Sequence, residues 1–158
     1  VHGQKPFDHQ GRIFEVKGGG FSEPLSRAAF PPVFLQGADE EALQLSANAA
    51  DIHLFGDVPL DELRGGVEWL ERLALAAGRD VAAGVIVTIT ARETDAEAIA
   101  GTGIAGSYDS VVEQLATLHA AGITHFVLSA SPSLEEAYRI GQFVLPRVRA
   151  ALGQLRAA

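Results

Sequence analysis

The run GVIVTITA, Gly84–Ala91, constrains this chain more than any other stretch. It is almost continuously β-branched and apolar, which predicts a strand covered on both faces. Strands of that kind belong to parallel sheets, where helices cross over from one strand to the next. The surrounding sequence fits. Val33–Gln36, Asp51–Phe55 and Thr124–Ser129 read as further short strands, and helical patterns lie between them.

Each helix carries its own punctuation. Asp39 is placed to N-cap a helix through Asn48, with Glu40 and Glu41 suiting its positive end. Pro59 opens a longer helix to Ala77. Leu60, Leu63, Val67, Leu70 and Leu73 give it one apolar face, Trp69 sits at the edge of that face, and Gly78 suits the C′ position. Ser107 caps a helix bearing Val111, Val112, Leu115 and Leu118, closed by Gly122. Ser133 and Glu136 have the S-x-x-E spacing of a capping box for the last helix, and Pro146 is expected to kink or end it. No hairpin joins these strands, so the sheet is expected to be parallel. The pattern leaves both half of a β/α barrel and a doubly wound sheet open.

Residues 7–21 read as a hairpin-like excursion from this scheme. Asp8–Gly11 is turn-like, Arg12–Val16 alternates like a half-exposed strand, and Gly18–Gly20 reads as a flexible loop rather than a phosphate cradle.

The chain has 158 residues, enough for a single domain with a real core. A complete eight-fold β/α barrel needs about 250, so a barrel reading makes this chain part of a longer protein. The start at Val1 and the lack of any Met fit that expectation. The net charge of −8, without a basic run, argues against nucleic acid. No apolar run reaches membrane-spanning length, and the opening residues are too polar for a signal peptide. The absence of Cys excludes disulfides and fits a cytoplasmic protein.

Few residues announce chemistry. Gly101–Gly106 spells G-x-G-x-x-G, but no strand pattern precedes it and no acid lies at the strand end that follows, so it reads as a loop leading into a helix. The His residues (His2, His9, His53, His119, His125) show no metal-ligand spacing, and no metal site is expected. His53 is expected as a hydrogen-bonded wall residue, and His119 and His125 at the surface. Ser129, Ser131 and Ser133 cluster without a G-x-S-x-G frame or a nearby His, which argues against a Ser hydrolase. Gln36–Asp39 ends a strand and starts a helix, where free backbone N–H groups can hold a phosphate.

Four segments together resemble the bacterial luciferase-like, flavin-dependent monooxygenases, and within them the alkanesulfonate monooxygenases. They are GQKPFDHQGRIFEVKGGGF (Gly3–Phe21), FPPVFLQGADEEALQLSANAADIHLF (Phe30–Phe55), ITARETDAEA (Ile89–Ala98), and GTGIAGSYDSV with HAAGITHFVLSASPSLEEAYRIGQFVLP (Gly101–Val111 and His119–Pro146). The resemblance implies an α/β fold: part of a (β/α)8 TIM-type barrel with parallel strands, residues 1–158 forming its C-terminal part. It implies reduced FMN and molecular oxygen acting on a small organic substrate, a sulfonate or related organosulfur compound. It further implies an NAD(P)H-dependent flavin reductase as partner, and a homo-oligomer. In the resemblance, Gly37, Ala38 and Asp39 lie at the turn that helps hold the flavin phosphate.

The sequence also departs from that branch. The family's long insert, with its Arg, is missing between residues 98 and 101. Ile86 and Thr88 stand where sulfonate oxygenases carry Arg and His, Ser131 and Ser133 where they carry Tyr and His, and Gly56 where a Trp is expected. Losing these donors weakens recognition of an anion. Thr88, Ser131 and Ser133 are the expected substrate-side residues. Two other readings fit the departures: a non-catalytic flavin-binding relative, and a half-barrel interaction module pairing through its sheet edges.

Overall fold

The computed structural model describes residues 6–20 and 31–155, the side chains of 154 and 155 excepted. The chain divides at Pro32 into two compact units. The first holds a hairpin in which β1 (Phe7–Gln10) pairs antiparallel with β2 (Glu15–Gly19). The expected turn at Asp8–Gly11 and strand at Arg12–Val16 are displaced. The chain turns at Gly11–Phe14, where the Gly11 N–H donates to the Phe14 carbonyl at 2.8 Å. Alternation permits either register. A bond from the Gly18 N–H to the Asp8 carboxylate, 2.7 Å, draws Gly18 and Gly19 into β2 instead of leaving them in a loop.

The second unit runs β3 (Phe34–Gln36), α1 (Glu40–Ala49), β4 (Ile52–Phe55), α2 (Leu60–Ala76), β5 (Ala82–Arg92), β6 (Ile104–Ser107), α3 (Tyr108–Ala120), β7 (Ile123–Ser129), α4 (Ser133–Arg139) and α5 (Leu145–Leu155). Every pairing among β3–β7 is parallel. The long β5 organises the sheet. Its residues 82–85 pair with β4, residues 83–88 pair with β7 on the opposite edge, and residues 89–92 pair with β6. β6 was expected as loop; four residues of ladder with β5 make it a strand that leads directly into α3.

Strand alternation sorts β5 into two faces. Ala83, Val85, Val87, Ile89 and Ala91 are buried in one core with Leu63, Val67 and Leu70 of α2 and Val111 and Leu115 of α3. Truncating a fully enclosed member such as Leu70 costs about 2–5 kcal/mol. Ile86, Thr88, Thr90 and Arg92, on the other face, stay partly open. Cover on both sides, expected from the composition, is therefore present on one face among the described residues.

The open face is concave. Phe34 of β3 and His125 of β7 are three strand spacings apart, about 14 Å across a flat sheet. Their ring centroids are 6.2 Å apart, edge to face. A sheet curled that tightly, with helices outside, is an arc of a β/α barrel, which decides between the two architectures left open by the sequence.

The caps of α1 and α3 form as expected. Asp39 accepts from the Ala42 N–H at 2.7 Å, and Ser107 from the Ser110 N–H at 3.2 Å. α2 begins after Pro59 and is followed by Gly78 with φ 66°. Trp69 is 38 % exposed, so it only borders the apolar face. The expected capping box is absent. Pro132 occupies the N-cap of α4, Ser133 is the first helical residue and donates to the Ala130 carbonyl, and Glu136 turns to Arg92. A buried carboxylate gains more from a guanidinium than from one backbone N–H. Nor does the last helix break at Pro146. A π turn at Ile140–Val144 joins α4 to α5 just before it. Widening the helix there accommodates a residue that lacks an N–H and crowds the preceding turn.

Candidate active-site face

Parallel pairing carries the C-terminal ends of β3, β4, β5 and β7 to one end of the sheet. The turns at Gly37–Asp39, Gly56–Asp57 and Ala130–Pro132 leave from that end, where barrels of this type carry their chemistry.

Thr88 lies on the open face, in register with Ser129 of β7. Their hydroxyls are 3.1 Å apart, and Ser129 Oγ also donates to the Val87 carbonyl at 3.4 Å. A hydroxyl retains donor or acceptor capacity after one bond, so the pair can still meet a substrate polar group. Two residues on, Thr90 Oγ1 accepts from the Thr102 N–H at 3.3 Å and approaches the Thr102 carbonyl at 3.4 Å. The loop 101–103 is thereby fastened to β5. Gly103 makes the approach possible: its φ is 69°, and an added Cβ would lie 2.2 Å from the Thr88 carbonyl oxygen.

Ser131 and Ser133 are both exposed, in the turn after β7 and at the start of α4. Among the described residues, neither is hydrogen-bonded to Thr88; Ser129 is. Ser129 was visible as part of the serine cluster, but its partnership with Thr88 depends on cross-strand register, which a single sequence does not display.

At the β3–α1 turn, Gly37 packs onto the first turn of the helix so closely that a Cβ would lie 2.2 Å from Ala42 Cβ. Gly37 directly follows the last ladder pair, Gln36 with Leu54, and Ala38 lies between it and the Asp39 cap, at the N-terminal end of α1. The Asp39 carboxylate is already engaged as the cap. Behind this turn, His53 is fully buried, with Nδ1 2.7 Å from Ser46 Oγ. That bears out a hydrogen-bonded wall residue, although Nε2 has no partner. Burial lowers the His53 pKa below the usual value. The nearby Gly37 backbone opposes the shift without reaching hydrogen-bond geometry to Nε2.

Two carboxylates shape the rim. Asp95, beyond β5, accepts the Ser107 N–H at 2.5 Å. That bond, then the Ser110 and Ser107 hydroxyls, hold its carboxyl below the ordinary range. Glu136 is buried on α4, bound by Arg92 at 2.9 Å, with Arg139 3.7 Å away. Among the described residues, no group of three or more His, Asp or Glu side chains could hold a metal, and no helix is long and apolar enough to cross a membrane.

The curled parallel sheet and its outer helices define part of a β/α barrel. The luciferase-like monooxygenase family model matches residues 2–102, and the chain belongs to that family. Solved structures agree in fold. A riboflavin lyase, RcaE, with modified FMN and riboflavin, superposes with a TM-score of 0.80 at 15% identity, over 92% of this chain and 48% of that one. The EDTA monooxygenase EmoA from Chelativorans sp. BNC1 gives 0.75 at 16%, covering 93% and 51%. An F420-dependent secondary alcohol dehydrogenase with an F420-acetone adduct gives 0.74 at 16%, covering 94% and 57%. The chain thus spans about half the length of these relatives.

Proposed function

We propose that this chain supplies the C-terminal strand–helix units of a flavin-dependent monooxygenase that oxygenates a small organic substrate with reduced FMN and O2. The observation that carries this reading is the convergence of four strand ends on one face that bears the Thr88–Ser129 hydroxyl pair, in a chain of the luciferase-like family. Bound FMN would supply the electrons for oxygen activation.

The β3–α1 turn fits the phosphate of such a cofactor through its backbone. Gly37 and Ala38 lie at the start of α1, where backbone N–H groups favour an anion, and Asp39 holds the turn in shape rather than meeting the anion. Thr88, with Ser129, faces the substrate side; Ser131 and Ser133 extend that side along the next turn. All four are neutral hydroxyls, so they select a hydrogen-bonding, uncharged substrate more readily than a sulfonate. A flavin reductase as electron donor and a homo-oligomeric assembly complete the proposal.

The test is FMN titration combined with oxygen consumption by the reduced complex. Saturable FMN binding with substrate-dependent oxygen uptake supports the reading. Binding without turnover points to the non-catalytic relative. Preference for F420 over FMN, motivated by the F420-dependent structure of the same fold, would replace oxygenation with hydride transfer.

A further inference from the structure

The two faces of β5 serve different spaces. Thr88 and Thr90 face the open concavity, whereas Val85 and Val87 turn outward toward α2 and α3. Outside the sheet, between those helices, lies a cavity of about 210 Å³. Val85, Val87 and Ile104 form its floor, and Leu63 and Leu118 its walls. All but Leu118 are buried. Its mouth is bordered by Gly56, Asp57, Gln114 and Thr117.

The geometry points to a second binding site here, separate from the strand-end face, for a small uncharged apolar molecule of one ring or a short alkyl chain. The size argument is direct. A closed apolar cavity of about 150 Å³ takes benzene; this pocket, open to solvent at its mouth, has about 210 Å³ and so has room for one ring. Water on a floor of two Val and one Ile finds no hydrogen-bond partners, so an apolar guest displaces it favourably. Charge narrows the class. Among the described residues, Asp57 is the only charged one in the lining, and a carboxylate at the mouth disfavours an anion. The donors there are bonded within α3, Gln114 Nε2 to the Ser110 carbonyl at 3.3 Å and Thr117 Oγ1 to the Glu113 carbonyl at 2.9 Å, which leaves only acceptors at the mouth. Contact area rather than directed hydrogen bonding would hold the guest.

The site touches the proposed active face in two places. Val87 precedes Thr88 on β5, and Gly56–Asp57 is the turn that leaves β4 at the strand-end face. An occupied cavity would therefore buttress both.

The experiment is a benzene titration of the full chain followed by backbone amide and methyl NMR, with benzoate as the anionic counterpart. Saturable shifts are expected at Val85, Val87, Ile104 and Leu118, with benzoate at least tenfold weaker. Two variants fill the mouth from opposite sides. Thr117→Trp replaces an exposed helical residue. Gly56→Leu enters open space, since an added Cβ at Gly56 meets nothing within 4 Å. Both are expected to lose the shifts while keeping the wild-type fold by circular dichroism. Absence of saturable shifts in the wild-type chain up to the solubility limit of benzene overturns the site. So do shifts that persist in either folded variant. Benzoate binding as tight as benzene overturns the uncharged class.

Discussion

Arg92, the last residue of β5, holds Glu136 of α4 at 2.9 Å, and Glu136 is only 2 % exposed. The pair ties the end of the central strand to the helix that follows β7. It thus fixes the turn carrying Ser131 and Ser133 relative to Thr88. Arg92→Ala leaves a buried carboxylate whose nearest cation is Arg139 at 3.7 Å. We expect a loss of about 3 kcal/mol in unfolding free energy, the low end for breaking a buried pair, because Arg139 offers partial compensation. The double substitution Arg92→Met, Glu136→Leu is expected to recover most of it. Urea unfolding of the two variants checks both statements.

The hydroxyl pair has the opposite profile. Thr88 and Ser129 lie on the open face, so Thr88→Val and Ser129→Ala are expected to change stability by less than about 0.5 kcal/mol. If the intact protein has the proposed oxygenase activity, each is expected to raise KM by roughly two- to tenfold, the worth of one hydrogen bond. Steady-state kinetics beside thermal unfolding separates the two effects. A large drop in Tm with unchanged KM would make the pair structural.

How much of this was legible in the sequence follows from the range of the forces involved. Asp39, Pro59, Gly78 and Ser107 act within one helical turn, and each was readable from local spacing. The parallel order followed from the strand–helix alternation around Gly84–Ala91. What escaped depends on distant partners. The Ser133–Glu136 spacing satisfies a capping box, but Arg92, 44 residues away, takes the carboxylate. Nothing between Ala98 and Gly106 carries a strand signature, so β6 exists because β5 is long enough to template it. The hairpin register shifted because alternation fits two pairings and one Gly18–Asp8 bond selects between them. The Thr88–Ser129 pair required the β5–β7 register itself.

The G-x-G-x-x-G run illustrates the same point and yields a third prediction. Its glycines are needed for packing, not for a pyrophosphate. Gly101 and Gly103 lie against Thr90 and Thr88, and a Cβ at Gly103 would approach the Thr88 carbonyl oxygen to 2.2 Å. In Gly103→Ala, holding the left-handed conformation costs about 1–2 kcal/mol, and the added Cβ must also push the loop off β5. We expect the hydrogen bond between Thr90 and the Thr102 N–H to open, seen as faster amide exchange at Thr102. The same exchange rate in wild type and variant would show that the loop is held by other contacts.

His53 gives a pH dependence whose sign follows from burial. Its folded pKa is lowered, chiefly because the buried side chain disfavours the imidazolium. In the unfolded chain it titrates near 6.5. Between those two values the unfolded state binds more protons than the folded one, so stability rises with pH across that window. Above pH 6.5 both states are neutral and this contribution is complete; as pH falls through 6.5 toward the folded value, it is progressively lost. The Asp95 carboxyl, lowered by its bonds to Ser107 and Ser110, acts in the same direction at more acidic pH, below the ordinary Asp value. The two are separable by window and by mutation. Urea unfolding from pH 5 to 8 is expected to show wild-type stability falling below pH 6.5, and His53→Gln flat across the same range. Asp95→Asn should retain the His53 slope, and extending the unfolding series below pH 4 should show that it loses only the acidic one. A wild-type profile level between pH 5 and 7 would mean that the buried imidazole accepts its proton without cost, and the unpartnered Nε2 would then need a hydrogen-bond acceptor within reach.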